Sequence, residues 1–221
     1  MQKLSRSKLE LFIECPRCFW LDVNKGTKRP PSFPYTINSS IDALLKQEFD
    51  ACRAKGTPHE LMKKFAVDAI PYQCKEIDQW RHNFTGVQSH HKPTGLLVFG
   101  AVDDVWVNPT KELIVVDYKS TGANEYHIYD SYRRQMEIYQ WLLKQNGYAL
   151  SDRGYFLFAK VNKGNGFEGG RLSFDLTIEP LEGDSSWVEA ALLRAKETLQ
   201  GSIPESAEDC KFCLFVSNAR E

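Results

Sequence analysis

The sequence predicts an α/β fold: a mixed central sheet flanked by helices, with a helical appendage built from both termini. Three observations lead there. Residues 96–120, LLVFGAVDDVWVNPTKELIVVDYKS, read as two strands of β-branched and aromatic residues around a turn at Asn108-Pro109. Stretches with helical apolar spacing precede and follow that hairpin. Two cysteine pairs of equal spacing, Cys15-x-x-Cys18 and Cys210-x-x-Cys213, stand at opposite ends of the chain.

The elements follow in order. Residues 4–23 read as an amphipathic helix with Ser5 or Ser7 as its cap, broken or kinked at Pro16. Residues 24–36, rich in Lys, Pro and Gly, read as a loop. Residues 39–54 form a helix whose buried face is Ile41, Leu44, Leu45, Phe49 and Cys52. Glu48 falls inside that stripe and Asp42 beside its start. Short helical stretches follow at 60–66 and 75–83. Residues 85–94 read as a polar segment ending in the surface pair His90-His91. After the hairpin, residues 125–145 place Ile128, Tyr132, Gln135, Tyr139 and Leu142 on one helix face. Gln135 sits in the middle of that stripe, where a buried amide needs partners. Residues 153–161 and 171–178 are two more strands joined by the glycine-rich turn 162–170. Residues 187–199 form a last amphipathic helix, and the tail carries the second cysteine pair.

Asp103, Asp117 and Lys119 occupy hairpin positions where a core strand should be apolar. Asp117 and Lys119 are two residues apart and share a face. With 108–112 as the loop, Val107 lies opposite Leu113 and Asp103 opposite Asp117. A four-residue loop would set Asp104 there instead. Directly opposite residues have Cβ atoms about 4.5–5.5 Å apart. Two carboxylates that close, among apolar neighbours, repel and lose hydration. They call for a positive charge between them, and a divalent cation with oxygen ligands supplies it.

The chain has 221 residues, enough for one domain with a sizeable core. Its 28 Lys and Arg balance 29 Asp and Glu, which excludes a purely electrostatic, histone-like nucleic-acid binder. No apolar run is long enough to span a membrane, and the N-terminus lacks the apolar core of a signal peptide. Six cysteines in that setting predict a reducing, cytoplasmic compartment and metal binding rather than disulfides. Four thiolates from Cys15, Cys18, Cys210 and Cys213 suit zinc or an iron–sulfur cluster, and their spacing does not choose. Cys52 and Cys74 read as small apolar packing residues.

Gly100-Ala101-Val102-Asp103 followed by Asp117-Tyr118-Lys119 resembles the PD-(D/E)XK nuclease superfamily, which also favours Asp103 over Asp104. Gln135 and Tyr139 match the Gln-x-x-x-Tyr motif of its RecB-like members. Ser5-x-Ser7-x-Leu9 with Cys15-Pro16-Arg17 looks like the opening segment of RecB-like, AddB-like and CRISPR-associated relatives. The resemblance covers residues 4–213, with the middle loops unmatched. It implies a restriction-endonuclease-like core, with residues 1–221 as one nuclease domain and 1–23 and 201–221 as its cysteine clasp.

The resemblance also implies roles. Asp103, Asp117 and the Tyr118 carbonyl would hold magnesium or manganese. Lys119 would act on the attacking water, Gln135 would orient Lys119 or a phosphate, and Tyr139 would support the helix. Asp42 stands where the family carries a histidine ligand, and Glu48 is the rival third acid. Relatives hold an iron–sulfur cluster with one N-terminal and three C-terminal cysteines. This chain has two and two, with Ala219 at the position of the last; the resemblance still implies an iron–sulfur cluster at the clasp, with zinc as the alternative. The implied activity is metal-dependent DNA cleavage, as an exonuclease in repair, defence or recombination. The implied partners are DNA, single-stranded or with free ends, and a helicase or other repair or defence protein. Tyr126, Tyr129 and Tyr132 could stack bases. The alternative is a catalytically silent DNA-end-binding or adaptor module of the same fold.

Overall fold

The computed structural model describes residues 2–31 and 36–219. The first half of the chain forms β1 (Gln2–Ser5), α1 (Arg6–Glu14), α2 (Pro16–Lys25), α3 (Thr36–Lys55), α4 (Glu60–Lys64), β2 (Ile70–Pro71) and α5 (Ile77–Trp80). Then come β3 (Val87–His91), β4 (Leu96–Gly100), β5 (Asp104–Val107) and β6 (Leu113–Thr121). The chain ends with α6 (Asp130–Gln145), β7 (Arg153–Val161), β8 (Phe174–Glu182), α7 (Trp187–Gln200) and α8 (Lys211–Asn218).

The main sheet has the order β2-β5-β6-β7-β8. β5 and β6 form an antiparallel hairpin with Val107 opposite Leu113 and Asp104 opposite Val116. The turn 108–112 is closed by Asn108, whose side-chain oxygen accepts from the Glu112 N–H at 2.8 Å. β6 runs parallel to β7, and α6 makes the crossover. Leu113 to Tyr118 are all buried, as a central strand covered on both faces must be.

Alternation along β5 and β6 divides their side chains between two layers. Val105 and Val115 face α6, with Phe156 and Phe158 beside them. Trp106, Ile114, Val116 and Tyr118 face α3, where Leu45 and Phe49 cover them. Each large apolar side chain fully buried this way contributes roughly 1.5–3 kcal/mol.

The expected two-strand hairpin is in fact three strands in two sheets. β4 leaves the main sheet and pairs with β1 in parallel and β3 in antiparallel. The chain crosses between the sheets at 101–103, where the Val102 N–H donates to the Trp80 carbonyl at 3.0 Å. Both new partners come from segments first read otherwise. Leu4 is not helical but a buried strand residue opposite Val98. The polar segment 85–94 contains β3, half-buried at the sheet edge. Ser5 does cap α1, accepting from the Lys8 N–H. The helix predicted from 125 begins at Asp130, and the strand predicted from 171 runs 174–182. The tail forms α8, which the sequence reading left without structure. Part of the loop read at 24–36, residues 32–35, lies outside the described residues.

The termini meet. α2 packs against α7. The Trp20 indole donates to the Gly201 carbonyl and the Asn24 amide to the Leu199 carbonyl, each at 3.0 Å. Among the described residues, no helix is long and apolar enough to cross a membrane.

Candidate active site and cysteine cluster

Asp103 and Asp104 are adjacent, so they face opposite sides of the sheet. Asp104 has no exposed surface and is surrounded by donors. It receives Arg53, Arg81 at 3.3 Å, the Trp106 indole at 3.2 Å and the Tyr118 hydroxyl at 2.7 Å. A charge so fully answered is a structural one. Asp103 lies one step beyond the last hairpin pair and opens into the cleft on the other face. Its Oδ2 accepts from the Tyr118 N–H at 3.1 Å, which fixes it beside Asp117. The geometry thus separates the two acids that hairpin length alone left open.

Asp117 is fully buried on the same face as Asp103. Its Oδ1 accepts from Gln135 Nε2 at 2.7 Å. Its Oδ2 pairs with the Lys119 ammonium yet accepts no well-directed hydrogen bond. Burial is the main cause that pushes the Asp117 carboxyl up to about 7. The Asp103 charge adds to it and Lys119 opposes it. Lys119 donates to Gln135 Oε1 at 3.2 Å, and its ammonium lies 4.5 Å from the centre of the Tyr132 ring. Burial disfavours the charge on Lys119, but Asp117 and Asp103 outweigh it and hold the ammonium protonated. Gln135 is therefore bound at both ends of its amide. Its Nε2 also reaches the Tyr139 hydroxyl at 3.2 Å. The Tyr139 ring lies against Gly100, where a Cβ would stand 2.6 Å from the ring. Glycine at 100 is what lets α6 approach the cleft this closely.

α3 supplies the far wall. Asp42 and Lys46, one turn apart, both face the cleft. The Lys46 ammonium sits 2.7 Å from Asp42 Oδ2 and 3.2 Å from Asp103 Oδ1. Burial and then the Asp103 charge raise the Asp42 carboxyl, against the pull of Lys46. Glu48, the rival acid, points away: its side chain is 59% exposed and meets His59 at 3.4 Å. Leu44 is exposed with it, so the α3 stripe is rotated from the one read in sequence. The cleft measures about 600 Å³, and Ser5, Arg6 and Ser7 at the start of α1 line its near side.

Other expected residues lie elsewhere or are occupied. His90 is exposed. His91 is buried between Thr94 at 2.8 Å and Glu189 at 2.6 Å, tying β3 to α7. Arg134 is held in a fork by Glu10, and Arg133 donates to the Glu182 carbonyl. The Tyr126 hydroxyl donates to Glu179 at 2.7 Å, and its ring stacks on Phe158. Tyr129 is 57% exposed and meets Tyr132 edge-on at 5.3 Å. Tyr118 turns its side chain to Asp104, so at this position the strand offers only backbone to the cleft face. The sequence reading missed Lys46, Arg81 and Arg6. A lysine four residues after Asp42 was a legible signal for the first.

The oxygen donors of Asp42, Asp103 and Asp117 suit a hard divalent ion. The buried Asp117 Oδ2 is an acceptor still lacking a directed partner. The carboxylates are not drawn together as a closed cage. Among the described residues, the one group with three or more ligand atoms within 4.8 Å of one another is Cys15, Cys18, Cys210 and Cys213. The sulfur separations recorded there are 3.9 Å for Cys15–Cys213 and 3.6 Å for Cys18–Cys210 and Cys18–Cys213. Burial pushes the Cys18 and Cys213 thiols up. Cys210 is also buried, but the Cys213 backbone N–H and neighbouring thiols hold it down to about 7. The Arg29 guanidinium adds positive charge, 3.6 Å from Cys210 Sγ and 4.7 Å over the Phe212 ring. Cys52 and Cys74 are half-buried and outside this group.

The family model of the PD-(D/E)XK nuclease superfamily matches residues 3–217. No curated protein matches the chain. Among solved structures, one titled "Crystal structure of SSO0001" aligns with a TM-score of 0.45 at 15% identity, covering 98% of this chain and 85% of that one.

Proposed function

The chain belongs to the PD-(D/E)XK nuclease superfamily, and on that footing we propose that it is a divalent-metal-dependent DNA nuclease of the RecB-like kind. The observation that carries this reading is the convergence of Asp103 from the segment entering β5, Asp117 and Lys119 from β6, and Gln135 from α6. Catalytically silent relatives would be free to lose any one of these; here the set is complete.

Asp103 and Asp117 would hold the ion, with the Tyr118 carbonyl completing the strand's contribution. Asp42 adds a third acid from α3. When bound, magnesium or manganese polarises the scissile phosphate and lowers the pKa of a bound water. Lys119 positions that water and stabilises the charge that develops on the phosphate. Gln135 holds the paired Asp117 and Lys119 aimed, binding one with each end of its amide, and Tyr139 contacts Gln135 in turn. The substrate is DNA with a free or single-stranded end. The exposed Tyr129 beside Tyr132 offers an unpaired base a stacking surface.

At the cysteine cluster we favour zinc. Four sulfurs at 2.3 Å from one tetrahedral ion lie about 3.8 Å apart, close to the 3.6–3.9 Å found here. A cubane cluster places four irons between its thiolates and needs them more widely spread.

Labelled single-stranded and duplex DNA, incubated with magnesium, manganese or chelator, tests the activity. Cleavage that requires the metal and disappears in Asp117→Asn supports it. Equal cleavage by Asp117→Asn, or none under any condition, rejects it.

A further inference from the structure

We propose that Lys46 is a built-in occupant of the cation position between Asp42 and Asp103, and that it gives way when a divalent ion binds. The inference rests on the metal reading above and deepens it.

Lys46 reaches both carboxylates at once, although Asp42 lies on its own helix and Asp103 is 57 residues away in sequence. Its side chain is 20% exposed, so the bridge is half-withdrawn from water. An ammonium is a compact point charge that donates three hydrogen bonds on a flexible four-carbon stem. It can answer two acids without enforcing a coordination geometry, and it can leave.

Arg81, the neighbouring cation, cannot take this place. It is fixed by Asp50 at 2.7 Å, Asp104 at 3.3 Å and the Asp103 carbonyl at 2.9 Å. Lys119 is equally committed, to Asp117 and Gln135. Arg6 also lines the cleft, but Lys46 is the cation that bridges Asp42 and Asp103.

Two carboxylates and one ammonium leave one net negative charge. A divalent ion in place of the ammonium leaves none, and like charge then drives Lys46 outward. Its stem keeps it at the cleft mouth, where a strand's phosphate would pass. One residue thereby does two jobs in turn: it shields the acids in the metal-free protein and meets the phosphate in the metal-loaded one. It is a positioning residue rather than a metal ligand.

The test is direct manganese titration by electron paramagnetic resonance, without substrate, on the full chain. Lys46→Met removes the charge and keeps much of the stem; Lys46→Gln keeps a neutral donor in case the first variant folds poorly. If the lysine holds the position nine-tenths of the time, either variant should bind manganese about tenfold more tightly. Binding of single-stranded DNA to the manganese-loaded variant should weaken, and its dependence on salt should fall by about one phosphate contact. A lysine that merely braces the two acids gives the opposite result, unchanged or weaker manganese affinity, and that outcome overturns the proposal. Asp103→Asn separates the two readings. Manganese bound equally by wild type and Asp103→Asn removes the metal site and this inference with it. Manganese lost in Asp103→Asn but unaltered in both Lys46 variants removes this inference alone.

Discussion

Gln135 donates its amide to Asp117 at 2.7 Å while accepting from Lys119 at 3.2 Å, so one side chain sets the distance between the acid and the cation of the cleft. Gln135→Leu keeps the packing volume and removes both contacts. Cleavage should fall about 10- to 100-fold, the usual effect of removing an outer hydrogen bond from a metal ligand. Single-turnover rates measure the loss, and a melting curve close to wild type shows that the fold survives.

Asp103 and Asp104 should give opposite phenotypes. Asp103→Asn should lower cleavage by about 10²–10³-fold or more, on the scale of losing one electrostatic contact to the transition state, with stability little altered. Asp104→Ala takes from Arg53 and Arg81 the buried acid they share and leaves them only the half-exposed Asp50 and backbone carbonyls, and breaking such a pair costs up to about 3–5 kcal/mol. Urea unfolding and cleavage assays on the two variants distinguish them. An active Asp103→Asn with an inactive, stable Asp104 variant would reverse the assignment.

Lys119→Ala should abolish turnover and spare metal binding, because the lysine is assigned to developing charge rather than to ligation. Manganese titration of this variant should match wild type while the single-turnover rate drops by about 10²–10³-fold.

Gly100 admits the Tyr139 ring, and a methyl group there would meet it at 2.6 Å. Gly100→Ala should cost about 1–3 kcal/mol by overpacking and slow cleavage by pushing Tyr139 from Gln135. Adding Tyr139→Leu should restore the stability but not the rate. Thermal melting of the single and double variants decides it.

The cysteine cluster joins chain ends separated by nearly 200 residues, so a metal there offsets a large loop-closure entropy. Cys18→Ser should loosen both termini together, raising hydrogen exchange in α2 and α8 while β5 and β6 stay protected. Elemental analysis should find one zinc per chain and no brown absorption. Iron and sulfide in its place would sustain the cluster alternative.

Asp117, Lys119 and Gln135 were legible because they break a periodic apolar pattern at positions where polarity is expensive. The helices were legible for the same reason in reverse. β1 and β3 were not: Gln2–Ser5 and Val87–His91 carry weak alternation and become strands only by pairing with β4. For β1 that partner lies more than 90 residues away and cannot be read from a local window; β3 pairs with β4 across the short turn 92–95, but its polar residues hid the hairpin. Leu44 and Glu48 were misplaced on α3 because a continuous stripe was assumed. The helix buries Leu45, Phe49 and Arg53 instead, spaced by four. The Asp103-versus-Asp104 choice turned on one residue of loop length. The turn around Asn108 settles it.

The donors gathered on Asp104 also act as an error check on folding. A hairpin that slipped by one residue would exchange the faces of β5. At the cleft the mistake would be nearly silent, since one aspartate would stand in for the other. On the reverse face it would not, because Val105 would meet the Arg53 and Arg81 guanidiniums, which would keep Asp50 but lose the buried acid they share. The mis-threaded chain is therefore rejected on the side of the sheet that takes no part in chemistry. The accuracy of the site is guarded by residues that never touch a substrate.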